Sequence, residues 1–185
     1  MRVIAGAAKG RRLASPSGRS TRPTSDRVKE SVFGILGDLV EGSCVLDLYA
    51  GAGSLGIEAL SRGASNCVFV DHDRTACDAI RRNLDVLGML SRGTIVRDDV
   101  ERFIRRGALG RMYGIVFADP PYEMDSLSEL LNLMNGTGIL SERAVIVLEY
   151  SSRAGAIRSD GPLECVRQES YGDTRVSFHR LSSEG

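Results

Sequence analysis

Residues 45–60 read Val45-Leu46-Asp47-Leu48-Tyr49-Ala50-Gly51-Ala52-Gly53-Ser54-Leu55-Gly56-Ile57-Glu58-Ala59-Leu60. An apolar run ends in a glycine-rich turn and passes into a stretch with helical spacing, which is the pattern of a strand–loop–helix unit. Glycines at such a junction let backbone amides approach a ligand at the carboxyl edge of a sheet, where doubly wound folds bind nucleotides. Gly51, Gly53 and Gly56 satisfy G-x-G-x-x-G, and Asp71 follows at the distance of a ribose partner. Charge decides which ligand fits. A dinucleotide brings an anionic pyrophosphate to the loop, and a carboxylate at Asp47 would repel it. S-adenosylmethionine has no phosphate and offers a cationic α-amine and a sulfonium, for which Asp47 is a favourable partner. The loop is therefore expected to present Asp47, Ala50, Gly51 and Gly53 to S-adenosylmethionine.

Outward from this unit the chain alternates. Strands are expected over Cys44 to Tyr49, Cys67 to Asp71, Thr94 to Arg97, Gly114 to Asp119 and Ala144 to Tyr150. Helices are expected over Ser54 to Ser61, Thr75 to Leu87, Val100 to Arg106 and Ser126 to Met134. Such alternation implies a parallel sheet covered on both faces. Leu163 to Tyr171 and Thr174 to Leu181 read as two strands joined by Gly172-Asp173, a tight-hairpin signal that makes the last strand antiparallel. The expected fold is thus α/β: a Rossmann-like, class I S-adenosylmethionine-dependent methyltransferase with a seven-stranded, mostly parallel sheet. Within it Asp71 would accept from the ribose hydroxyls. Asp98, Asp99 and Val100 would edge the adenine, with Asp99 preferred over Asp98 as acceptor and helix capping as the rival role. His72 stacks beside the adenine or is a turn residue, and Asp73 is read as a helix cap.

The 185 residues, 42% of them apolar, suit one domain with a short extension. No apolar run is long enough for a membrane span and no secretory leader stands at Met1, so a cytoplasmic protein is expected. Cys44, Cys67, Cys77 and Cys165 form no C-x-x-C pair; they read as buried, reduced thiols, and no metal is expected. The net charge of zero hides an asymmetry. The first 30 residues carry eight cations against Asp26 and Glu30, a net +6, so the rest carries −6. Two apolar stretches, Arg2 to Ala5 and Arg12 to Ala14, flank Gly6 to Gly10 as a small β-hairpin extension. Ser15 to Thr24 reads as a mobile loop, and a helix capped by Ser25 or Asp26 follows. Residues 1–25 are accordingly expected to form a basic RNA-binding hairpin and loop, and residues 26–185 the catalytic domain. Deleting residues 1–20 is expected to abolish RNA methylation while sparing cofactor binding.

Asp119-Pro120-Pro121-Tyr122 follows the apolar Ile115-Val116-Phe117-Ala118. Two prolines stiffen the backbone, and a strand tolerates them only at its end. That rigidity suits an exocyclic amine, whose lone pair is delocalised into the base and is a poor nucleophile. Asp119 and the Pro120 carbonyl would accept its N–H hydrogens, hold the nitrogen in line and stabilise developing positive charge. Tyr122 would stack on the base, a contact worth roughly 1 to 3 kcal/mol. The target must then leave its stack. No Pro-Cys is placed for covalent attack at a pyrimidine C5. The tetrapeptide leaves adenine N6, cytosine N4 and guanine N2 open.

Arg2-Val3-Ile4-Ala5-Gly6, Lys9-Gly10-Arg11-Arg12-Leu13, Arg22-Pro23-Thr24-Ser25-Asp26-Arg27-Val28-Lys29-Glu30 and Phe33 resemble the amino-terminal signature of the RsmD family of small-subunit ribosomal RNA guanine-N2 methyltransferases. The resemblance extends over nearly the whole chain. It implies methylation of one guanine N2 in 16S rRNA, with assembled or assembling small subunits as partner and S-adenosylmethionine as cofactor. A monomer is expected. On this reading Arg2, Lys9, Arg11 and Arg12 track phosphates, while Arg22, Thr24 and Arg27 stand near the pocket edge. Two rivals are a DNA adenine or cytosine amino-methyltransferase, which would need a sequence-reading insert, and a noncatalytic ribosome-assembly module, which would have lost Asp47, Asp71 or Asp119.

Overall fold

The computed structural model describes residues 1–15, 25–120, 124–154, 157 and 159–182. Arg22, Thr24, Pro121 and Tyr122 lie outside the described residues, as does nearly all of the loop between the hairpin and the first helix. The elements run α1 (Asp26–Leu36), β1 (Cys44–Leu48), α2 (Ser54–Ser61), β2 (Asn66–Asp71), α3 (Arg74–Val86), β3 (Gly93–Arg97), α4 (Val100–Arg105), β4 (Tyr113–Ala118), α5 (Met124–Thr137), β5 (Leu140–Ser151), β6 (Leu163–Tyr171) and β7 (Thr174–Leu181). The seven strands are ordered β3-β2-β1-β4-β5-β7-β6. The first five are parallel, and β7 is antiparallel to both β5 and β6. Chain direction reverses its march across the sheet between β1 and β4, so the carboxyl ends of those strands flank the switch-point crevice.

Side-chain alternation splits the core into two layers. Val45, Phe69, Phe117, Val147 and Phe178 pack on the face covered by α1, α2, α3 and the N-terminal hairpin. Leu46, Val68, Val116, Ile146 and Leu148 pack on the face covered by α4 and α5. Phe33 of α1 meets Phe117 at 5.6 Å between ring centroids, which fixes α1 over β4. Ser25 caps α1 through the Val28 amide, and Asp73 caps α3 through the Thr75 amide at 2.7 Å.

Several details depart from the sequence expectation: α5, expected over Ser126 to Met134, runs Met124–Thr137, and of the four cysteines expected to be buried, Cys165 is exposed on the edge strand β6 and Cys44 is half-buried. β5 begins at Leu140 rather than Ala144: Leu140 pairs with Tyr113 across a register shift, and the half-exposed residues 140–143 carry no apolar alternation to reveal it. The N-terminal hairpin makes one isolated bridge, Arg2 to Arg12, rather than two regular strands. Its other bonds hold it closed, with the Val3 amide donating to the Arg11 carbonyl and the Leu13 amide to the Met1 carbonyl.

This hairpin is welded to the body. Every residue of α2 is buried, because the sheet covers one side and the hairpin the other. The Glu58 carboxylate, with no exposed surface, accepts the Ile4 amide at 2.7 Å, the Ala5 amide at 3.0 Å and Arg62 Nε at 2.8 Å. Fully buried Lys29 stands 3.9 Å from Glu58 and donates to the Arg2 carbonyl. Ser61 takes the Ala8 amide, and Asn83 of α3 bonds both Ala14 and the carbonyl of Ala52 in the glycine loop. At Gly6, with φ +79°, a Cβ would stand 1.9 Å from the Ser61 carbonyl oxygen, so only glycine fits. Deletion of residues 1–20 would therefore strip partners from a buried ion pair, take Val3, Ala8 and Leu13 out of the core and uncover α2. The truncation expected above to spare cofactor binding is thus a folding lesion.

Candidate active site

Strand register places the acidic residues in a row. Leu48 pairs with Val70 on one side and Ala118 on the other, so Asp71 and Asp119 stand level, one step beyond the strand pairing. Ala118 pairs with Leu148, which sets Glu149 beside Asp119 on the next strand, at a spacing of about 4.8 Å. Asp47 lies one layer deeper, between Phe69 and Phe117. Alternation turns these residues to the face that carries α2 and the hairpin.

The connection from β1 to α2 is shaped by backbone conformation. Tyr49, Gly51 and Gly53 all have positive φ, at 55°, 55° and 77°. A tyrosine in that region stores strain, of the kind found where a site over-determines its backbone. The Gly51 amide donates to Asp71 Oδ2 at 2.9 Å, the Asp73 amide to Asp71 Oδ1 at 2.9 Å, and the Gly53 amide to the Ala50 carbonyl at 2.7 Å. Asp71, read from sequence as a ribose acceptor, thus also braces the loop; each of its oxygens retains a lone pair for a second donor. Gly56 is dictated by contact, since a Cβ there would meet Phe69 at 2.4 Å, Cys67 Sγ at 2.6 Å and Asp47 Oδ2 at 2.9 Å.

Asp47 is only 3% exposed, and its one bond among the described residues is from the Gly56 amide at 2.9 Å. Burial raises its pKa to about 8; the Gly56 amide opposes the shift, and the charges of Asp71 and Asp119 add to it. Asp119 is exposed at the end of β4, yet it is flanked by enough protein to lose hydration, as a group at the floor of an open crevice does. Desolvation first, and Glu149 second, raise it to about 7. Ser54, the first residue of α2, keeps its hydroxyl oxygen buried without a hydrogen-bond partner among the described residues. These observations fit a cationic, hydrogen-bonding ligand: carboxylates that repel one another, and an orphaned hydroxyl beside the glycine loop.

The remaining expected residues are placed as follows. Asp99 fills the rival role weighed for it, capping α4 through the Arg102 amide at 3.0 Å. Asp98 accepts from Arg102 Nε at 2.5 Å and lies 3.6 Å from Arg106; the Arg102 hydrogen bond holds its carboxyl below the usual range. Val100 buries its side chain in the α4–α5 layer. His72 is largely exposed, with Nδ1 3.7 Å from Asp71 Oδ1. Pro120 is half-buried at the strand end. On the hairpin, Arg2 Nε bonds Asp26 at 2.8 Å and Arg11 reaches the Val86 carbonyl at 3.3 Å, while Lys9, Arg12 and Arg27 are exposed.

Sequence reasoning missed Tyr49, Ser54, Glu58, Lys29, Asn83 and Glu149. Glu58 had a legible signal, a lone charge within the otherwise apolar Leu55-Gly56-Ile57-Glu58-Ala59-Leu60. Glu149 had none, because only strand pairing sets it beside Asp119.

Comparison with known proteins accords with this geometry. The chain is 42% identical over 182 residues to the "Putative rRNA methyltransferase YlbH" of Bacillus subtilis, covering 97% of this chain and 98% of that one. It is 30% identical to the Ribosomal RNA small subunit methyltransferase D of Escherichia coli, over 100% of this chain and 92% of that one. Among solved structures it matches the "Putative methyltransferase yhhF" of Escherichia coli with a TM-score of 0.89 and 30% identity, covering 100% and 99% of the two chains. The family model described as Conserved hypothetical protein 95 matches residues 1–180, and the chain belongs to that family, the RsmD family.

Proposed function

We propose that the protein methylates the exocyclic N2 of a guanine in 16S rRNA of the small ribosomal subunit, using S-adenosylmethionine. One observation carries the reading: Asp47, Asp71 and Asp119 surround a strained glycine loop at the switch point, on the face that also carries the basic hairpin. The names borne by the Bacillus subtilis and Escherichia coli relatives support ribosomal RNA as the substrate class.

When bound, S-adenosylmethionine supplies an electrophilic methyl group on sulfonium. Asp47 and the Ser54 hydroxyl would hold its amino-acid end and Asp71 its ribose, while Ala50, Gly51 and Gly53, whose amides bond within the protein, would let the backbone come close to it. Asp119, with Pro120 behind it, accepts the N–H hydrogens of the target amine and orients its nitrogen. A carboxylate pKa of about 7 also suits Asp119 to take the proton that the methylated amine sheds near neutral pH. Arg12, Lys9 and Arg27 face solvent and supply phosphate contacts.

The test uses tritiated S-adenosylmethionine with undermethylated small subunits, naked rRNA and DNA, followed by nucleoside analysis. N2-methylguanine from the ribosomal substrates is the expected product; N6-methyladenine or N4-methylcytosine from DNA would overturn the reading. Asp119→Ala should cut turnover by about a thousandfold while cofactor affinity stays within a few-fold, the loss expected when a transition-state acceptor is removed.

A further inference from the structure

Apart from the catalytic edge, the described residues form a second concavity. A cleft of about 520 Å³ opens between the hairpin and the start of α1, lined by Met1, Arg2, Gly10, Arg12, Leu13 and Asp26. Its volume is in the range of pockets that enclose one small ligand. Among the described residues its walls are two arginines, one aspartate, two apolar side chains and a glycine whose Cβ position is open space.

We propose that this cleft is a preformed subsite for one nucleotide of the RNA strand beside the target, its phosphate on Arg12 and Arg2 and its base against Met1 and Leu13. The inference rests on the RNA-methyltransferase reading and adds where the strand is held.

Three features argue for a built subsite. First, the walls cannot drift. The Arg2 carbonyl is held by buried Lys29, the Ile4 and Ala5 amides by buried Glu58, and Ala14 by Asn83. Rigid walls cut the ordering cost of binding. Second, the cations are arranged for an anion. Arg2 and Arg12 face each other across the antiparallel bridge, and Arg12 has no ion-pair partner among the described residues. Asp26 is the one acid in the cleft; it engages Arg2 through Nε, which fixes the guanidinium and leaves its terminal nitrogens for a phosphate. Third, position links the cleft to catalysis. Asn83 bonds Ala14 at the end of the hairpin and Ala52 in the glycine loop, so cleft and cofactor loop share one rigid anchor.

The experiment compares Arg12→Gln with Arg105→Gln, an exposed arginine of α4 on the other face. Arg12 is exposed, so its replacement leaves the fold intact, which thermal melting checks. With small ribosomal subunits as substrate, Arg12→Gln should raise KM about fivefold and lower the slope of log KM against log salt by about one, with kcat and cofactor Kd unchanged. Arg105→Gln should change neither. Photo-crosslinking of subunits carrying 4-thiouridine should label residues 1–13. Unaltered KM and salt slope in Arg12→Gln, or crosslinks absent from residues 1–13 in an active complex, would refute the subsite. If the wild type methylates no ribosomal RNA, the substrate reading fails instead. The cleft is then judged on a fluorescent single-stranded oligoribonucleotide, whose affinity must still fall about fivefold in Arg12→Gln.

Discussion

Two buried carboxylates lie on opposite sides of α2, and they are treated oppositely. Glu58 faces the hairpin and is saturated: two backbone amides, the Arg62 guanidinium and the Lys29 ammonium surround it. Asp47 faces the crevice and receives one amide, while the neighbouring charges, Asp71 and Asp119, are of its own sign. A buried charge is tolerated when it is paired and hydrogen-bonded. Glu58 meets that condition within the fold and so serves structure. Asp47 does not meet it, and burial raises its proton affinity. Satisfaction inside the protein thus separates the structural acid, Glu58, from Asp47, the acid proposed above to meet the cofactor, although both are hidden from water.

Removing each acid in turn should have opposite consequences. Glu58→Ala should cost about 3 to 5 kcal/mol of stability, because Lys29 would be left buried and uncompensated; urea unfolding measures it, and a loss under about 1 kcal/mol would contradict the clamp.

A third buried group, on the other face, extends the rule to a base. His179 is 2% exposed, bonded to Ser177 at 2.9 Å through Nε2 and without a partner at Nδ1 among the described residues; burial lowers its pKa to about 4 from 6.5. The unfolded chain binds the proton more readily, so this stabilisation is whole above about pH 6.5, fades as pH falls, and is gone below about pH 4. The loss from this group is roughly 3 kcal/mol. A His179→Gln variant should show a flatter stability profile across that window; an equally steep one would assign acid lability elsewhere.

Asp47→Asn is expected to do the reverse of Glu58→Ala. An amide oxygen can still accept from Gly56, so the ligand-free protein should be no less stable, while affinity for S-adenosylmethionine falls by about ten- to a hundredfold, as for loss of one charge-assisted contact. Equal binding by the variant and the parent would remove Asp47 from the cofactor site.

The smallest effect is a linkage. With Asp47 raised to about 8 and Asp119 to about 7, a bound cation favours their ionised forms and releases protons. Cofactor affinity should therefore climb a few-fold between about pH 6 and 7, below the pKa of about 7.7 to 8 at which an α-amine loses its charge. Calorimetry in two buffers of different ionisation enthalpy would detect the protons, and a flat profile would show that these acids titrate independently of binding.

Local pattern made much of this legible. Period-two and helical spacing gave the alternation of elements, Gly172-Asp173 gave the last hairpin, and Asp73 and Ser25 were readable as caps because capping is settled within three residues. The two carboxylates flanking the glycine loop, Asp47 and Asp71, could likewise be named from the order of apolar run, glycine and acid. Pairing and closure were not legible. The Tyr113–Leu140 register, the docking of the hairpin on α2, and the meeting of Asp119 with Glu149 join residues far apart in the chain.

The amino-acid sequence alone thus determined the element types and the glycine loop between β1 and α2, since those depend on dihedral preference and on chemistry between near neighbours. Tertiary structure decided which acids are quenched and which are left wanting a cation, and it turned an apparent basic tail into a fixed wall. Burial and charge pairing are sums over distant segments, and no local reading of the chain contains them.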